Sequence, residues 1–214
     1  MTDPPPPAAT PPARDPQLGS RRADVARKTR ETDVSVTIDL DGSGHADVVT
    51  PAPFLSHMLE QVARHGALDL VVRAGGDVEI DAHHTTEDVG IVLGTAVLRA
   101  LGDRAGIRRY GSAVLPMDEA LAMVALDLSG RPSLVWRVDL PKAKIGDWDV
   151  ELGEVFFEAF ARSAQCNLHV RLVEGANLHH ILEVCFKAFA RALREAVSRD
   201  PRTPGVPSTK GMLD

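Results

Sequence analysis

His83-His84-Thr85-Thr86-Glu87 recurs as His179-His180-Ile181-Leu182-Glu183, 96 residues further on. The two HHxxE pentads collect four of the chain's eight histidines. Each follows a strand-like run and a glycine turn. Val71-Val72-Arg73 leads through Gly75-Gly76 to the first pentad, and His169-Val170-Arg171 leads through Gly175-Ala176-Asn177 to the second. Each pentad opens an apolar stretch with helical spacing, the first from about Thr85 to Leu101 and the second to about Ser198. Self-similarity at this spacing marks an internal duplication. The predicted fold is α+β: two units of roughly ninety residues, each strands-helix-strands-helix, with the helices of one unit covering those of the other.

Working outward, Val34, Val36, Ile38 and Leu40 alternate with polar residues, the period of a strand with one buried face. Residues 24–30 lead into it. Asp41-Gly42-Ser43-Gly44 predicts a hairpin returning through His45–Val49. Pro51 and Pro53 end that ladder, and Phe54–Arg64 has helical spacing. Leu55, Met58, Leu59 and Val62 share one helix face, while His57, Gln61 and His65 form a second line at i, i+4 and i+8. Leu68–Val72 and Asp77–Ile80 read as strands turning at Gly75-Gly76. In the second half, 120–128 and 133–138 read as strands joined at Ser129-Gly130, 153–165 as a helix and 168–173 as a strand. The expected division is a disordered proline-rich tail over 1–22, half-domains over 23–112 and 113–200, and a closing tail over 201–214.

Hydrophobic residues make up 44% of the chain and aromatics only 4%, which predicts an aliphatic core. The net charge of −6 argues against a general nucleic-acid binder. Cys166 and Cys185 show no CxxC pattern and read as small core residues. No stretch resembles a signal peptide, and no apolar run reaches the roughly 20 residues of a membrane span. A cytoplasmic setting with no membrane partner is expected.

The chemistry lies in the pentads. Glu87 stands i+3 from His84 and i+4 from His83, so either imidazole can share an ion with it. Two neighbouring helical histidines point about 100° apart, so each pentad should feed two different metal centres. Imidazole with carboxylate suits Mn, Fe, Co, Ni or Zn. One HHxxE at a helix start is ordinarily a surface or capping pattern; two at matching points of a repeat read as metal ligands.

Several segments together resemble the imidazoleglycerol-phosphate dehydratase family: Arg30-Glu31-Thr32, FLSHMLEQVARHG (54–66), IDAHHTTED (80–88), GIRRYG (106–111), PMDEALA (116–122), DLSGRP (127–132), LHVR (168–171), HHILE (179–183), FKAFARALR (186–194) and GVPSTKG (205–211). The likeness runs from about Arg27 to Leu213. It implies two half-domains of the ribosomal-protein-S5 domain 2 type, with helices packed centrally between two four-stranded sheets. It further implies trimers assembled into a 24-mer, active sites between subunits and two Mn²⁺ sites per chain. The reaction implied is a hydro-lyase step of histidine biosynthesis, from imidazole glycerol phosphate to imidazole acetol phosphate. By the same resemblance one site takes His57, His84, His179 and Glu183. The other takes His83, Glu87, His180 and a ligand from the helix that duplicates His57. Glu31 is the candidate acid/base. Gln61 and His65 are placed to contact substrate. Arg109, Arg131, Lys187, Ser208, Thr209 and Lys210 are candidates for the phosphate, although Lys187 also stands i+4 from Glu183, the spacing of an ordinary ion pair. Asp118 and Glu119 stay open between a structural role and orienting a histidine.

The chain departs from the family pattern at Ser56 and Ala82, where family members often carry Asp, and at Val155, where many carry His. Valine cannot bind metal, so the second site is expected to be weakened, with Glu151 or Glu158 on the same helix face. Two other readings are a metal-binding homo-oligomer that has lost catalysis and a dinuclear phosphate-ester hydrolase. The first leaves Arg109, Arg131 and Lys210 without a purpose. The second wants bridging carboxylates between two ions, and only Glu87 and Glu183 are evident.

Overall fold

The structure, a computed structural model, describes residues 20–213. The chain runs β1 (Arg22–Lys28), β2 (Thr32–Asp39), β3 (Ala46–Val49), α1 (Pro53–Gly66), β4 (Asp69–Gly76) and α2 (His83–Leu101). It continues as β5 (Tyr110–Met117), β6 (Ala120–Asp127), β7 (Ser133–Arg137), β8 (Lys144–Ile145), β9 (Trp148–Asp149), α3 (Leu152–Ala164), β10 (Asn167–Glu174) and α4 (Leu178–Val197). Two four-stranded sheets result, ordered β1-β2-β4-β3 and β5-β6-β10-β7. Helices α2 and α1 cover the first sheet, α4 and α3 cover the second, and the helix pairs meet as α2 on α3 and α1 on α4. This is the α+β arrangement expected from the repeat, with the helices between two similar sheets.

The registers put the duplication in atomic terms. Val25, Val36, Val72 and Val48 lie in one row across the first sheet. Ala113, Val124, Val170 and Trp136 lie in the equivalent row of the second. Equivalent residues are 88 apart through the first three strands, as in Val48 and Trp136, and 98 apart from the following helix, as in Val72 and Val170. The extra ten residues fall before α3, where the second half carries the β8–β9 hairpin.

Several expectations are corrected. Asp41–Gly44 does not close a hairpin: β2 pairs with β1 and β4, while β3 runs parallel to β4. The Asp69 carboxylate accepts the Ser43 and His45 N–H groups at 2.7 and 3.0 Å, which fixes the turn beside β4 instead. Ser129-Gly130 likewise joins strands that do not pair, since β10 lies between β6 and β7. Asp77–Ile80 is a turn rather than a strand, so each half is three strands, a helix, one strand and a helix, with the β8–β9 hairpin added before α3 in the second. Gly76 ends β4 so close to α2 that a Cβ there would lie 2.1 Å from Thr85 Oγ1. Strand β5 crosses the boundary expected at 112. Residues 1–19 of the expected tail lie outside the described residues, but Arg22 opens β1, and Arg21 is buried, its guanidinium bonded to Asp41 and to the Val197 carbonyl. Those contacts draw the fold's start two residues before the expected boundary.

The core is not purely aliphatic. Five of the six phenylalanines gather between α3 and α4: Phe156, Phe157, Phe160, Phe186 and Phe189 are all fully buried, with neighbouring rings 4.7–5.3 Å apart. A low aromatic fraction is here a concentrated one, placed where large rings fill the space between helices. Cys166 and Cys185 are core residues, as expected, and burial pushes both thiols up to about 12. Among the described residues, no helix is long and apolar enough to cross a membrane.

Candidate metal centre

Helix α1 begins with Pro53 in its first turn, where a missing N–H costs nothing. One turn in, it presents His57 toward α4. Helix α4 is capped by Asn177, whose side chain accepts the His179 and His180 N–H groups at 2.9 and 3.3 Å. That cap places His179 in the first turn and Glu183 one turn later on the same face. His179 Nε2 lies 2.9 Å and His57 Nε2 3.3 Å from Glu183 Oε2. Lys187 Nζ holds the other oxygen at 2.6 Å. The donor atoms of His57, His179 and Glu183 all lie within 4.8 Å of one another. Glu183 is buried. Burial works against its charge, but the bonds from Lys187, His179 and His57 outweigh it and keep the carboxyl below its usual range. Two imidazoles converging on one ionised, buried carboxylate fit a divalent transition ion. Among the described residues this is the one such group.

Beside the triad lies a cavity of about 640 Å³, walled by Phe54, Ile80, Ile145 and Trp148. Phe54 meets His179 edge-on at 5.2 Å and stacks against Trp148 at 5.1 Å. Trp148 Nε1–H donates to Thr86 Oγ1 at 3.1 Å. The β8–β9 hairpin therefore joins the interior of the first pentad to the metal face of the second. Farther along α1, His65 is held below its usual range by burial and by the cations Lys187 and Arg191. Gln61 is half-buried between them.

The duplication assigns the triad a counterpart. His57 corresponds to Val155, and His179 and Glu183 correspond to His83 and Glu87. Those three residues do line one cavity, of about 660 Å³, with Glu151, Glu154 and Glu158 around it. The remaining histidine of each pentad turns elsewhere. His84 Nδ1 is 3.0 Å from Asp77 and 3.9 Å from Glu31. His180 Nδ1 is 2.7 Å from Glu119. Within one chain His84 does not join the triad, nor does His180 join His83 and Glu87. Carboxylate bonds raise both His84 and His180 above the usual imidazole range. Glu119 is drawn down to about 2 by His180 and by the Asn177 N–H.

Ser56 and Ala82, the departures noted above, have local roles. Ser56 Oγ is 2.9 Å from Thr50 Oγ1 and accepts the Thr50 N–H at 3.2 Å, while at Ala82 the cap passes to Asp81, whose carboxylate accepts the His83 N–H at 2.7 Å.

Five of the six phosphate candidates come together. Arg109, Arg131, Ser208, Thr209 and Lys210 line a cavity of about 740 Å³. Arg109 adopts a left-handed backbone, φ 72°. Its side chain forks onto Asp127 at 2.7 and 3.1 Å and donates to the Pro207 carbonyl at 2.9 Å, tying the C-terminal segment down. Lys187 stands outside this cavity, engaged with Glu183. Asp77 and Trp148 had no signal in the sequence: the Trp148 contact joins segments 62 residues apart, and the Asp77–Ile80 pattern reads as a strand rather than as a turn that meets His84.

A family model for imidazoleglycerol-phosphate dehydratase matches residues 50–193. A protein of that description from Symbiobacterium thermophilum is 60% identical over 196 residues, covering 92% of this chain and 94% of its own. Another, from Citrifermentans bemidjiense, is 58% identical over 194 residues, 91% of this chain and all of its own. A crystal structure of imidazoleglycerol-phosphate dehydratase from Staphylococcus aureus is similar with a TM-score of 0.76 at 38% identity, covering 84% of this chain and 99% of its own.

Proposed function

Because the chain belongs to the imidazoleglycerol-phosphate dehydratase family, we propose that His57, His179 and Glu183 are the core of its metal centre and that Glu31 is its acid/base. The chain is a hydro-lyase of histidine biosynthesis, dehydrating imidazole glycerol phosphate to imidazole acetol phosphate, and it is metal-dependent. The observation that carries the site reading is the convergence of two imidazoles from α1 and α4 on the buried Glu183. Bound there, a divalent cation supplies Lewis-acid stabilisation of charge on the substrate's imidazole ring. The chain's residues do the rest. Arg131, Lys210 and the hydroxyls of Ser208 and Thr209 hold the phosphate dianion by charge-assisted bonds, with Arg109 keeping the C-terminal segment in place. Glu31 takes the proton from the second side-chain carbon, one removed from the ring, and returns one to the hydroxyl departing from the ring-attached carbon. The apolar wall of Phe54 and Trp148 keeps water from the ring. The enol so formed ketonises.

In the same proposal the resident ion is Mn²⁺, and copies assemble as trimers into a 24-mer in the cytoplasm. His84 and His180, which stand apart from the other ligands within one chain, complete the centres across contacts between copies. The second centre, with His83 and Glu87, lacks an imidazole at Val155 and holds its ion more weakly.

Metal removal tests this reading. Chelator-stripped protein is expected to be inactive on imidazole glycerol phosphate and to regain activity with Mn²⁺. Elemental analysis after desalting is expected to find one tightly held ion per chain, and two in Val155→His. No product under any divalent metal would sink the dehydratase reading. Two tight ions in the unaltered protein would sink the asymmetry alone.

A further inference from the structure

Glu31 and Glu119 are the same residue of the two half-domains. They are 88 apart, the offset that holds for the strands on both sides of their turns, and each follows the first strand of its sheet. Each also lies beside the second histidine of a pentad, His84 or His180. Their bonding nevertheless differs. Glu119 Oε2 is 2.7 Å from His180 Nδ1, and its other oxygen accepts the Asn177 and Ala176 N–H groups at 2.8 and 3.3 Å. Glu31 stops 3.9 Å from His84 Nδ1, because Asp77 already occupies that nitrogen at 3.0 Å. Asp77 has no counterpart in the second half, where the corresponding position is Gly175.

We propose that Glu119 and Asp77 are positioning residues that hold His180 and His84 with Nδ1–H inward and Nε2 outward as the metal donor, and that Asp77, by taking the place Glu119 fills in the other half, frees Glu31 for proton transfer. A carboxylate on one ring nitrogen fixes the tautomer and ring plane and leaves the other nitrogen as the lone-pair donor. The His180 Nε2 atom has that freedom, its nearest carboxylate being Asp118 at 3.7 Å, beyond hydrogen-bond range. The need has been met twice, by a β5–β6 turn in one half and by the segment after β4 in the other. Recurrence from non-equivalent segments is not a residue of the duplication; it points to the histidines' requirement. The division of labour follows. One member of the glutamate pair is bonded on both oxygens and orients, while the other is exposed, unbonded to its histidine and able to exchange protons.

This inference rests on the metal reading, and Co²⁺ tests the two separately. Wild-type protein is titrated with Co²⁺ and followed by its visible absorption. Glu119→Gln keeps an oxygen for the Asn177 and Ala176 N–H groups, so its thermal midpoint is expected to stay unchanged. The neutral amide no longer fixes the His180 tautomer, and affinity at one centre is expected to fall about 10–100-fold with an altered spectrum. Asp77→Ala is expected to keep its metal, as Glu31 closes on His84, while kcat falls about a hundredfold with KM little changed. Wild-type Co²⁺ affinity in Glu119→Gln, with only Glu119→Ala affected and only in stability, would reduce Glu119 to a helix cap and overturn its positioning role. An unchanged kcat in Asp77→Ala would overturn the claim about Glu31. If wild type takes up no Co²⁺, the metal reading itself fails first.

Discussion

Glu183→Gln is expected to leave a folded protein that no longer retains metal at the α1–α4 centre and has lost activity on the order of 10³-fold, the scale of removing a preorganised electrostatic group. The substitution is nearly isosteric, so the packing around position 183 survives. What changes is charge. The carboxylate accepts from His179 and His57 on one oxygen and from Lys187 on the other. An amide offers one accepting oxygen, and its NH₂ must face either Lys187 or the imidazoles. Facing Lys187, it leaves an ammonium without an acceptor; facing the histidines, it sets donors against the nitrogens meant for metal. A buried site tolerates such a mismatch at a cost of about 1–3 kcal/mol, well inside the stability of an ordinary domain. Circular dichroism, elemental analysis and dehydratase kinetics on one preparation separate the two effects. Normal metal content with normal kcat/KM would remove Glu183 from the centre.

Gly94→Leu is expected to produce the largest loss of stability, and with it loss of soluble protein. Helices α2 and α3 carry the contact between the halves on one side, and their backbones meet at Gly90 and Gly94. A Cβ at Gly94 would sit 2.6 Å from the Phe160 carbonyl oxygen and 2.9 Å from the Ala164 nitrogen. Those atoms are helix backbone and cannot rotate aside. The helices must move apart, opening the layer that buries Val97, Phe160 and Ala164. Overpacking of a core costs typically 1–3 kcal/mol, and with a rigid carbonyl as the obstacle the cost here is expected to reach about 3 kcal/mol or more. Urea midpoints for Gly94→Ala and Gly94→Leu check it. A Gly94→Leu protein as stable as the parent would show that the α2–α3 spacing is not fixed by these glycines.

What the chain discloses by itself follows the range of the interactions. The pentads, the helices and the repeat are local patterns, and they were legible. So was the His57–His179–Glu183 association, although only through the family resemblance. Strand β5 was not legible: Tyr110–Met117 alternates Val114 outward with Ala113 and Leu115 inward, giving no contrast between faces. The Asp41–Gly44 turn carries good hairpin chemistry, yet the pairing it implies lost to β4, which reaches β2 from across α1. No local rule reports such competition between partners. Of the orienting carboxylates, Glu119 stood open in the sequence between a structural role and orienting a histidine, while Asp77 gave no sign of its part. Asp77 lies seven residues from His84 and Glu119 lies 61 from His180, separations fixed only by the fold. Lys187 is a different case. Its i+4 spacing to Glu183 did favour an ion pair, and the structure has that pair.

The crossing of helix partners between the halves also imposes a timetable on synthesis. Helix α1 packs on α4, α2 packs on α3, and Arg21 bonds the carbonyl of Val197. At bacterial or eukaryotic elongation rates the interval between Gly66 and Val197 leaving the peptidyl-transferase centre is roughly ten seconds. Throughout that interval α1 exists without the helix it packs on, while the glycine stripe of α2 stays uncovered only until α3 is made. Neither half-domain closes by itself, so the last helix to be made completes both the interior and the metal centre in one event.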